Sequence, residues 1–392
     1  MALLEILFIE NIIYDAKLVV KNCIPVRKFY ILILATFCFS CKKEVQPVHD
    51  VLLTAPNQFK KYYIAKFSPT NLRNSEGDII ALKSGRFLAA YTRFGSKTND
   101  AAPSQIAGRI SADDAGDIWG DEFIISQNIG LKNVISVSLF RDDQTLIHCY
   151  FLVNNGVKDV RYYQSASSDD GATWSDAKPV INQGDYLDVV NAAVHTVNHD
   201  RIIIPATSTQ DASDMSAIFS SFTYYSDDGG KTFAKSNVIK PATKVGGFEP
   251  SVVQLAGDNL MMAIRPPEAG FQYFSKSTDN GTTWQQPFQS TLSSSSSPAK
   301  IVNVNGILLA IHNPNININP RNPLRISKSE DGGATWTMIA DMESSDTNTY
   351  NYAYPSITIK NGYLLVSYWE TVGTSGINLK FSKIKISQLG II

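Results

Sequence analysis

One eight-residue phrase recurs along this chain and constrains its fold more than any other feature. The intact copies are Ser167–Trp174, Ser226–Phe233, Ser277–Trp284 and Ser329–Trp336, and a decayed copy occupies Ala112–Trp119. Their third residues are Asp114, Asp169, Asp228, Asp279 and Asp331, which lie 55, 59, 51 and 52 residues apart. An even period of this length predicts a chain built from repeated supersecondary units.

Each copy of the phrase lies between two extended, β-rich stretches, which is the position of a hairpin turn. Asp and Asn side chains cap turn amides, Gly supplies a positive φ, and the closing Trp or Phe packs on a neighbouring strand. The rest of the chain alternates short runs rich in Val, Ile, Tyr and Phe with Gly, Asn and Asp turns, and it has no long helical period. These patterns predict an all-β protein.

The phrase is identified as the Asp-box, Ser-x-Asp-x-Gly-x-Thr-Trp, which lies on the outer rim of β-propeller blades. The resemblance implies an all-β, six-bladed β-propeller with Asp-box repeats, because the roughly 335 residues of segment 58–392 allow about 55 residues per blade. Asp-boxes are structural, so they say nothing about chemistry. A five-serine run, Ser293–Ser297, is expected on a surface loop.

The N-terminal segment has the pattern of an export signal. Arg27-Lys28 precedes a short apolar run, Phe29–Ser40, and charge follows at once after Cys41. The run is shorter than the roughly 20 residues that cross a bilayer. Ser40-Cys41 resembles a bacterial lipoprotein processing site, which implies export over 1–41, lipidation of Cys41, a membrane anchor and a tether over 42–57.

Two alternatives accompany the export prediction. An ordinary signal peptide with a chance cysteine fits the same apolar run. The stretch 1–25 fits no signal-peptide plan, and a start codon assigned too far upstream is the simplest explanation.

Composition excludes several classes of protein. The chain has 35 Lys+Arg against 36 Asp+Glu, so no global field gathers nucleic acid. It is 18% charged and 10% aromatic, unlike a disordered chain. Three of its four cysteines precede residue 42, which excludes a disulfide framework and leaves Cys149 in the folded part. Neither metal-ligand spacing nor a phosphate loop is present, so we expect no cofactor and no metal, and we expect a monomer.

Asp-boxes at even spacing and a count of six blades together make the chain resemble the sialidases, which are exo-glycosidases that remove terminal sialic acid with retention of configuration. The substrate carries a carboxylate at its anomeric carbon, which calls for a cationic clamp. The resemblance implies three clamp arginines, a Tyr nucleophile activated by a Glu, and an Asp as general acid and base.

Three stretches carry the family's site pattern most fully. Gly247–Arg265 resembles the stretch in which a Glu opens a strand and an Arg ends its return strand, so the resemblance makes Glu249 the base and Arg265 a clamp arginine. Asn319-Pro-Arg321 leads into the last Asp-box as the third clamp arginine does, whereas Arg325 enters the next strand. Asn351–Trp369 resembles the nucleophile stretch and makes Tyr354 the nucleophile, with Tyr352 as the fallback.

The remaining site residues lie near the start of the predicted propeller. Asp100 follows a strand, nine residues before Arg109 of the next one, as the family's acid does. Arg93 is expected to line the same pocket. Arg73 stands where the family has its first clamp arginine, although the family's Arg-Ile-Pro motif is absent. In the alternative interpretation, Arg73 forms salt bridges with Glu76 and Asp78 instead of binding a sugar.

These residues predict a retaining exo-α-sialidase acting on sialylated glycans. The alternatives are a non-catalytic carbohydrate-binding propeller and a glycosidase for another acidic sugar. Asp188 and His195 are each expected either to contact sugar hydroxyls or to act as capping or packed polar residues.

Overall fold

The computed structural model describes residues 59–391, apart from 144, 182–184, 215, 318–319 and 348. Within these ranges the chain forms β-strands with two short 3-10 turns, Asn198–Asp200 and Ile386–Leu389. The prediction of an all-β protein is confirmed. The segments 1–41 and 42–57, with Cys41, lie outside the described residues. The strands are β1 Lys61–Ala65, β2 Asn74–Ala81, β3 Phe87–Phe94, β4 Ser104–Ile110, β5 Phe123–Ser126, β6 Asn133–Arg141, β7 Ile147–Gly156, β8 Asp159–Ser167, β9 Lys178–Ile181, β10 Tyr186–Asp188, β11 His195–Val197, β12 Arg201–Thr209, β13 Ser220–Ser226, β14 Ala234–Lys235, β15 Phe248–Gln254, β16 Leu260–Arg265, β17 Gly270–Ser277, β18 Phe288–Ser294, β19 Lys300–Val304, β20 Ile307–His312, β21 Leu324–Ser329, β22 Thr337–Glu343, β23 Tyr350–Lys360, β24 Tyr363–Val372 and β25 Gly376–Lys385.

The described strands form four sheets of four strands and one of nine. The four-stranded sheets follow the orders β2-β3-β4-β5, β15-β16-β17-β18, β19-β20-β21-β22 and β1-β25-β24-β23. The first strand, β1, pairs antiparallel with β25, so both ends of the described chain meet in one sheet. Closing a chain in this way covers an edge strand that would otherwise expose unpaired backbone groups.

The nine-stranded sheet consists of two antiparallel groups joined by one parallel pair, Tyr186 with Val160. One group is β6–β9 and the other is β10–β14, in which β10 and β11 both pair with β12. We number the strand groups in chain order: group 1 is β2–β5, group 2 β6–β9, group 3 β10–β14, group 4 β15–β18, group 5 β19–β22, and group 6 β23–β25 with β1.

Six apolar layers hold the groups together. Each layer joins one group to the next, and the layer that contains Ile79 and Phe381 joins group 6 back to group 1. Full burial of one large aliphatic or aromatic side chain contributes about 1.5–3 kcal/mol. The layers therefore place each group against two neighbours.

One strand of each group, β11 in group 3 and the first strand in the other groups, faces a common cavity of about 630 Å³. Its walls include residues of all six groups, among them Asp78, His195, Lys300 and Thr358. Lys300 is buried there, and burial lowers the pKa of its amine to about 8. Among the described residues, no helix is long and apolar enough to span a bilayer.

The Asp-boxes form the turns before the last strand of their groups. In the first intact copy, Ser167 Oγ donates to Asp169, and Asp169 accepts from the Thr173 amide at 2.8 Å and the Thr173 hydroxyl at 2.6 Å. The other three intact copies repeat this network. Gly171 has a φ of 95°, which suits glycine. The prediction that these phrases are hairpin turns is confirmed.

Candidate active site

A second repeat, which the residue types do not show, lies on the first strands of the groups or in the segments next to them. Among the non-glycine residues with a positive φ, six with values between 44° and 63° form this repeat, one for each group: Glu76, Ser136, Ala192, Glu249, Ser296 and Tyr354. Four of them, Glu76, Ser136, Glu249 and Tyr354, lie where the strand pairing shifts register. Such bulges re-aim a side chain, and strained φ values cluster at functional sites.

The bulges of groups 4 and 6 bring two predicted residues together. The Tyr354 hydroxyl donates a hydrogen bond of 2.5 Å to Glu249 Oε1. Arg265 Nη1 donates to Glu249 Oε2 at 2.7 Å and to the Tyr354 oxygen at 3.2 Å. One guanidinium therefore contacts both the phenol and its carboxylate partner.

The environment of Tyr354 keeps its phenol neutral in the resting site. Burial, and then the Glu249 carboxylate, raise the pKa of Tyr354 far above the usual value, while Arg265 and Arg321 oppose the shift. A neutral phenol is a weak nucleophile, so it needs a base within hydrogen-bond distance. Glu249 occupies that position.

Arg321 lies on the other side of the tyrosine. Its guanidinium carbon is 5.7 Å from the centre of the Tyr354 ring, and Nη2 donates to the Ser296 carbonyl at 3.0 Å. No carboxylate of the described residues forms an ion pair with it. Arg265 and Arg321 both line a cavity of about 340 Å³, so a guanidinium paired with Glu249 and one with no carboxylate partner among the described residues face the same space.

The cavity of the two arginines has two further walls. Trp369 stacks on Tyr354 with the ring centres 5.9 Å apart. Ser295 and Ser296 form another wall, and both are buried. The expectation that the five-serine run lies on the surface is therefore wrong, because Ser296 has a φ of 53° just before β19 and the run packs against Gln272 and Pro266.

A neighbouring cavity of about 360 Å³ is lined by all three members of the hydrogen-bonded set, Arg265, Glu249 and Tyr354. Asp100, Glu76 and Asp188 also line it. Burial, and then the Glu249 charge, raise the pKa of Asp188 to about 7, while Arg265 opposes the shift. This end of the site is acidic, and Asp188 changes charge near neutral pH.

Arg73 lies beside Asp100. Its Nη1 donates to Asp100 Oδ1 at 2.6 Å, and its Nη2 donates to Glu76 Oε1 at 2.6 Å. The alternative that Glu76 pairs with Arg73 is confirmed. Asp78 instead accepts backbone amides, including that of Leu139 at 2.9 Å.

Three other candidates lie elsewhere. Arg93 pairs with Glu122 at 2.7 Å and is in the wall of neither cavity. Tyr352 is buried in the apolar layer between groups 5 and 6, away from both cavities. His195 lines the 630 Å³ cavity, whereas Asp188 lines the 360 Å³ cavity.

The tertiary structure thus brings together Asp100, Glu249, Arg265 and Tyr354 in one cavity and Arg265 with Arg321 in the other. Sequence reasoning missed Trp369 and Ser296 as wall residues. The six positive-φ positions recur at steps of 47 to 60 residues, but the residue types do not reveal their φ values. The sequence therefore carried no readable signal for Ser296. In the described ranges, no group of three or more His, Cys, Asp and Glu is arranged to hold a metal ion.

Five strand groups of four-stranded meander type, their Asp-box turns and this tyrosine–carboxylate–arginine site define a sialidase-like fold. The chain matches the model of the BNR repeat-like domain over residues 67–366, and the protein belongs to that family.

Solved structures with the same fold include sialidases. The Hadza microbial sialidase is 17% identical, with 85% of this chain and 69% of that chain covered and a TM-score of 0.66. For the Trypanosoma rangeli sialidase the identity is 15%, the coverage 85% and 60%, and the TM-score 0.68, so this chain spans about three fifths of that enzyme. A Dyadobacter fermentans protein of unknown function is 18% identical, with 83% and 98% covered and a TM-score of 0.66.

Proposed function

We propose that this protein is a retaining exo-α-sialidase that hydrolyses terminal sialic acid from glycoconjugates. The observation that carries the proposal is the contact between Tyr354, Glu249 and Arg265, in which a buried phenol, a base and a cation share hydrogen bonds of 2.5 to 3.2 Å. A carboxylate nucleophile would repel the substrate's own carboxylate, whereas a phenol with an adjacent base does not. Sialidases use a tyrosine in place of the second carboxylate of most glycosidases.

The first chemical step joins the sugar to the enzyme. The Tyr354 oxygen attacks the anomeric carbon and its proton passes to Glu249, which already accepts the hydrogen bond. The bond from the anomeric carbon to the leaving oxygen breaks, and Asp100 supplies the proton to that oxygen. Asp100 suits this role because its side chain is 82% exposed on the loop between β3 and β4, where an incoming aglycone has access.

The second step releases the sugar with retained configuration. Water attacks the anomeric carbon from the face that the aglycone has left, and Asp100 takes its proton. The bond to the Tyr354 oxygen breaks, and Glu249 returns the proton to that oxygen. Two displacements at one carbon give net retention.

Arg265 and Arg321 are the proposed contacts of the substrate carboxylate. The Nε of Arg265 is buried and has no hydrogen-bond partner among the described residues, so it offers a donor that a ligand satisfies. Arg321 has no carboxylate partner within the described ranges. Planar guanidinium groups bind carboxylates through two parallel N–H donors, which fixes the sugar's orientation.

The proposed scaffold is a closed six-bladed propeller in which each strand group is one blade. Three observations support it: the six apolar layers include one from group 6 to group 1, β1 completes the last sheet, and all six groups line the 630 Å³ cavity. A propeller places the first strands of its blades around a central channel. The site then lies at one end of that channel.

A glycosidase for another acidic sugar is the second candidate. The observation that favours it is that Glu76 and Asp100 both bind Arg73. Two arginines, Arg265 and Arg321, rather than three are then left to bind an acidic sugar. The same chemistry on Tyr354 would serve, with a different fit around the sugar.

Trapping the glycosyl-enzyme tests the proposed function directly. A Trypanosoma rangeli sialidase structure holds 2,3-difluorosialic acid as a covalent intermediate. We expect the same reagent to add one sugar to this protein, and peptide mass spectrometry to place it on Tyr354. Tyr352→Phe is the matched control and keeps the label, whereas Tyr354→Phe loses it. The absence of any label, together with no hydrolysis of a fluorogenic aryl sialoside, would overturn the proposal in favour of a binding protein.

We further propose that the protein is exported and held at a membrane by lipid on Cys41, with sialylated glycans as its partners. The signal pattern over 27–41 supports the export. A glycosidase for glycoconjugate ends then meets its substrates outside the cytoplasm.

A further inference from the structure

The hydrogen-bonding capacity of Arg73 is almost fully used inside the protein. Its Nε donates to Ser75 Oγ at 2.6 Å, and its Nη1 donates to the Thr98 carbonyl at 2.7 Å as well as to Asp100. With the bond from Nη2 to Glu76, four of the five N–H groups of this guanidinium have partners. A carboxylate clamp needs two adjacent free donors, and Arg73 does not offer them.

Glu76 binds Arg73 from the same kind of strand bulge that carries Glu249 and Tyr354. It has a φ of 44° and lies at the register shift of group 1, as Glu249 does in group 4 and Tyr354 in group 6. Glu76 is 4% exposed, and its second oxygen accepts from the Ser75 hydroxyl. The carboxylate thus neutralises a guanidinium that is itself 6% exposed.

Asp100 is attached to this buried pair from outside. Its side chain is 82% exposed while that of Arg73 is 8% exposed, so the ion pair reaches from the interior to the loop. The same loop is held at its backbone by Asn133, whose Nδ2 donates to the Asp100 carbonyl at 2.6 Å and to the Ala102 carbonyl at 3.0 Å. A loop residue of this exposure would otherwise sample many rotamers.

We propose that Arg73 is a positioning residue for the acid Asp100, that Glu76 fixes Arg73 in this role, and that Arg265 and Arg321 alone bind the substrate carboxylate. The inference rests on the proposed function.

The experiment separates help to the leaving group from binding of the carboxylate. The full chain and its Arg73→Lys and Glu76→Gln variants are assayed on sialyllactose, whose leaving alcohol needs a proton, and on an aryl sialoside, whose phenolate leaves unaided. The dissociation constant of the sialidase inhibitor DANA is measured by calorimetry on the same preparations. Arg86→Lys, an exposed arginine on the hairpin between β2 and β3, is the control.

We expect both variants to lose about 10²-fold in kcat on sialyllactose, the lower end of the range for general acid catalysis, and about threefold or less on the aryl sialoside. The dissociation constant of DANA should change by about threefold or less, because the clamp is intact. The control should match the wild type in all three measurements. Circular dichroism identifies a variant that fails to fold. In that case Glu76→Gln, which keeps the shape of residue 76 and one of its two acceptor oxygens, decides the matter.

A tenfold or larger weakening of DANA binding by Arg73→Lys, with both substrates slowed equally, would make Arg73 a clamp residue and overturn the inference. Equal losses on both substrates with unchanged DANA binding would show a merely structural role and also overturn it, as would full activity. A wild-type chain that neither hydrolyses nor binds DANA would overturn the proposed function and this inference with it, whereas the other outcomes leave the proposed function standing.

Discussion

The Tyr354 hydroxyl lies 2.5 Å from Glu249, although 105 residues separate the two in the chain. Each residue has a positive φ, 55° and 45°, at a register shift on the first strand of its group. Local strain of this kind persists only where the surrounding structure enforces it. The same backbone feature thus presents the proposed nucleophile from one group and its proposed base from another.

Removing either member of this pair should depress all substrates. Tyr354→Phe deletes the attacking oxygen but keeps the ring that stacks on Trp369, and Glu249→Gln deletes the base but keeps the shape. We expect each change to lower kcat by about 10²- to 10⁴-fold on both an aryl sialoside and sialyllactose, since the raised pKa of Tyr354 leaves an unassisted phenol protonated. Steady-state kinetics check this, and a fully active Tyr354→Phe enzyme would contradict the nucleophile assignment.

The two clamp arginines should respond differently to lysine. Arg321→Lys loses the planar fork at a residue that does not touch Glu249, so we expect weaker DANA binding by about 1–3 kcal/mol with little change in kcat. Arg265→Lys should weaken binding and also lower kcat, because Arg265 contacts both Glu249 and the Tyr354 oxygen. Arg325→Lys, paired with Asp341, is the control and should bind normally. Unaltered inhibition of Arg321→Lys would mean that the carboxylate is held elsewhere.

Asp188 should make substrate binding depend on pH. Burial and Glu249 raise its pKa to about 7, so it is neutral below that pH and anionic above it, with Glu249, Arg265 and Tyr186 as its charged or titratable neighbours. A second anion in the cavity repels an anionic sugar, and we expect KM to rise roughly tenfold between about pH 6 and 8, within what one nearby charge can supply. Asp188→Asn should flatten this rise. A KM profile that is identical in the variant would rule out Asp188 as its source.

The Asp-boxes should govern stability in acid. Hydrogen bonds from Thr173 and Ser167 lower the pKa of Asp169 to about 2, and equivalent bonds lower that of Asp331 to about 2, against the ordinary 3.8. Their contribution is present above pH 3.8 and is lost as the pH falls toward about 2, because the folded state favours the ionised form. Thermal unfolding from pH 2 to 7 should show a Tm that falls below pH 4 and falls less steeply in Asp331→Asn. The kcat of that variant at pH 7 should be unchanged, since the box lies outside both cavities.

Lipidation of Cys41 should decide where the protein fractionates. Cys41→Ser is expected to move the protein from the detergent-soluble membrane fraction to the soluble one, because it removes the proposed lipid anchor. A single acyl chain binds a membrane only marginally, so stable anchoring implies more than one chain on Cys41. Immunoblots of fractionated cells check the shift, with Cys38→Ser as the control. Unchanged fractionation of Cys41→Ser would contradict the lipoprotein prediction.

The hairpin turns and their residues could be predicted because their contacts are local. In the first intact Asp-box, Asp169 accepts hydrogen bonds from Ser167 and Thr173, which lie two and four residues away, so the phrase itself contains both donors and acceptors. The strands between the turns follow from alternating apolar residues in the same way. Local pattern therefore determined the all-β class and the places where the chain reverses.

Tertiary structure decided which side chains meet. Arg73 has Glu76 and Asp78 within five residues, yet it pairs with Glu76 because the bulge at that residue turns the carboxylate toward it, while Asp78 faces the Leu139 amide of the next group. The serine run reads as a polar loop in sequence, and it becomes a cavity wall because it packs against Gln272 and Pro266. The sequence by itself determined the strands and turns, since their hydrogen bonds join near neighbours. The relative placement of the six groups decided the site, since its hydrogen bonds join residues that only packing brings within 3 Å.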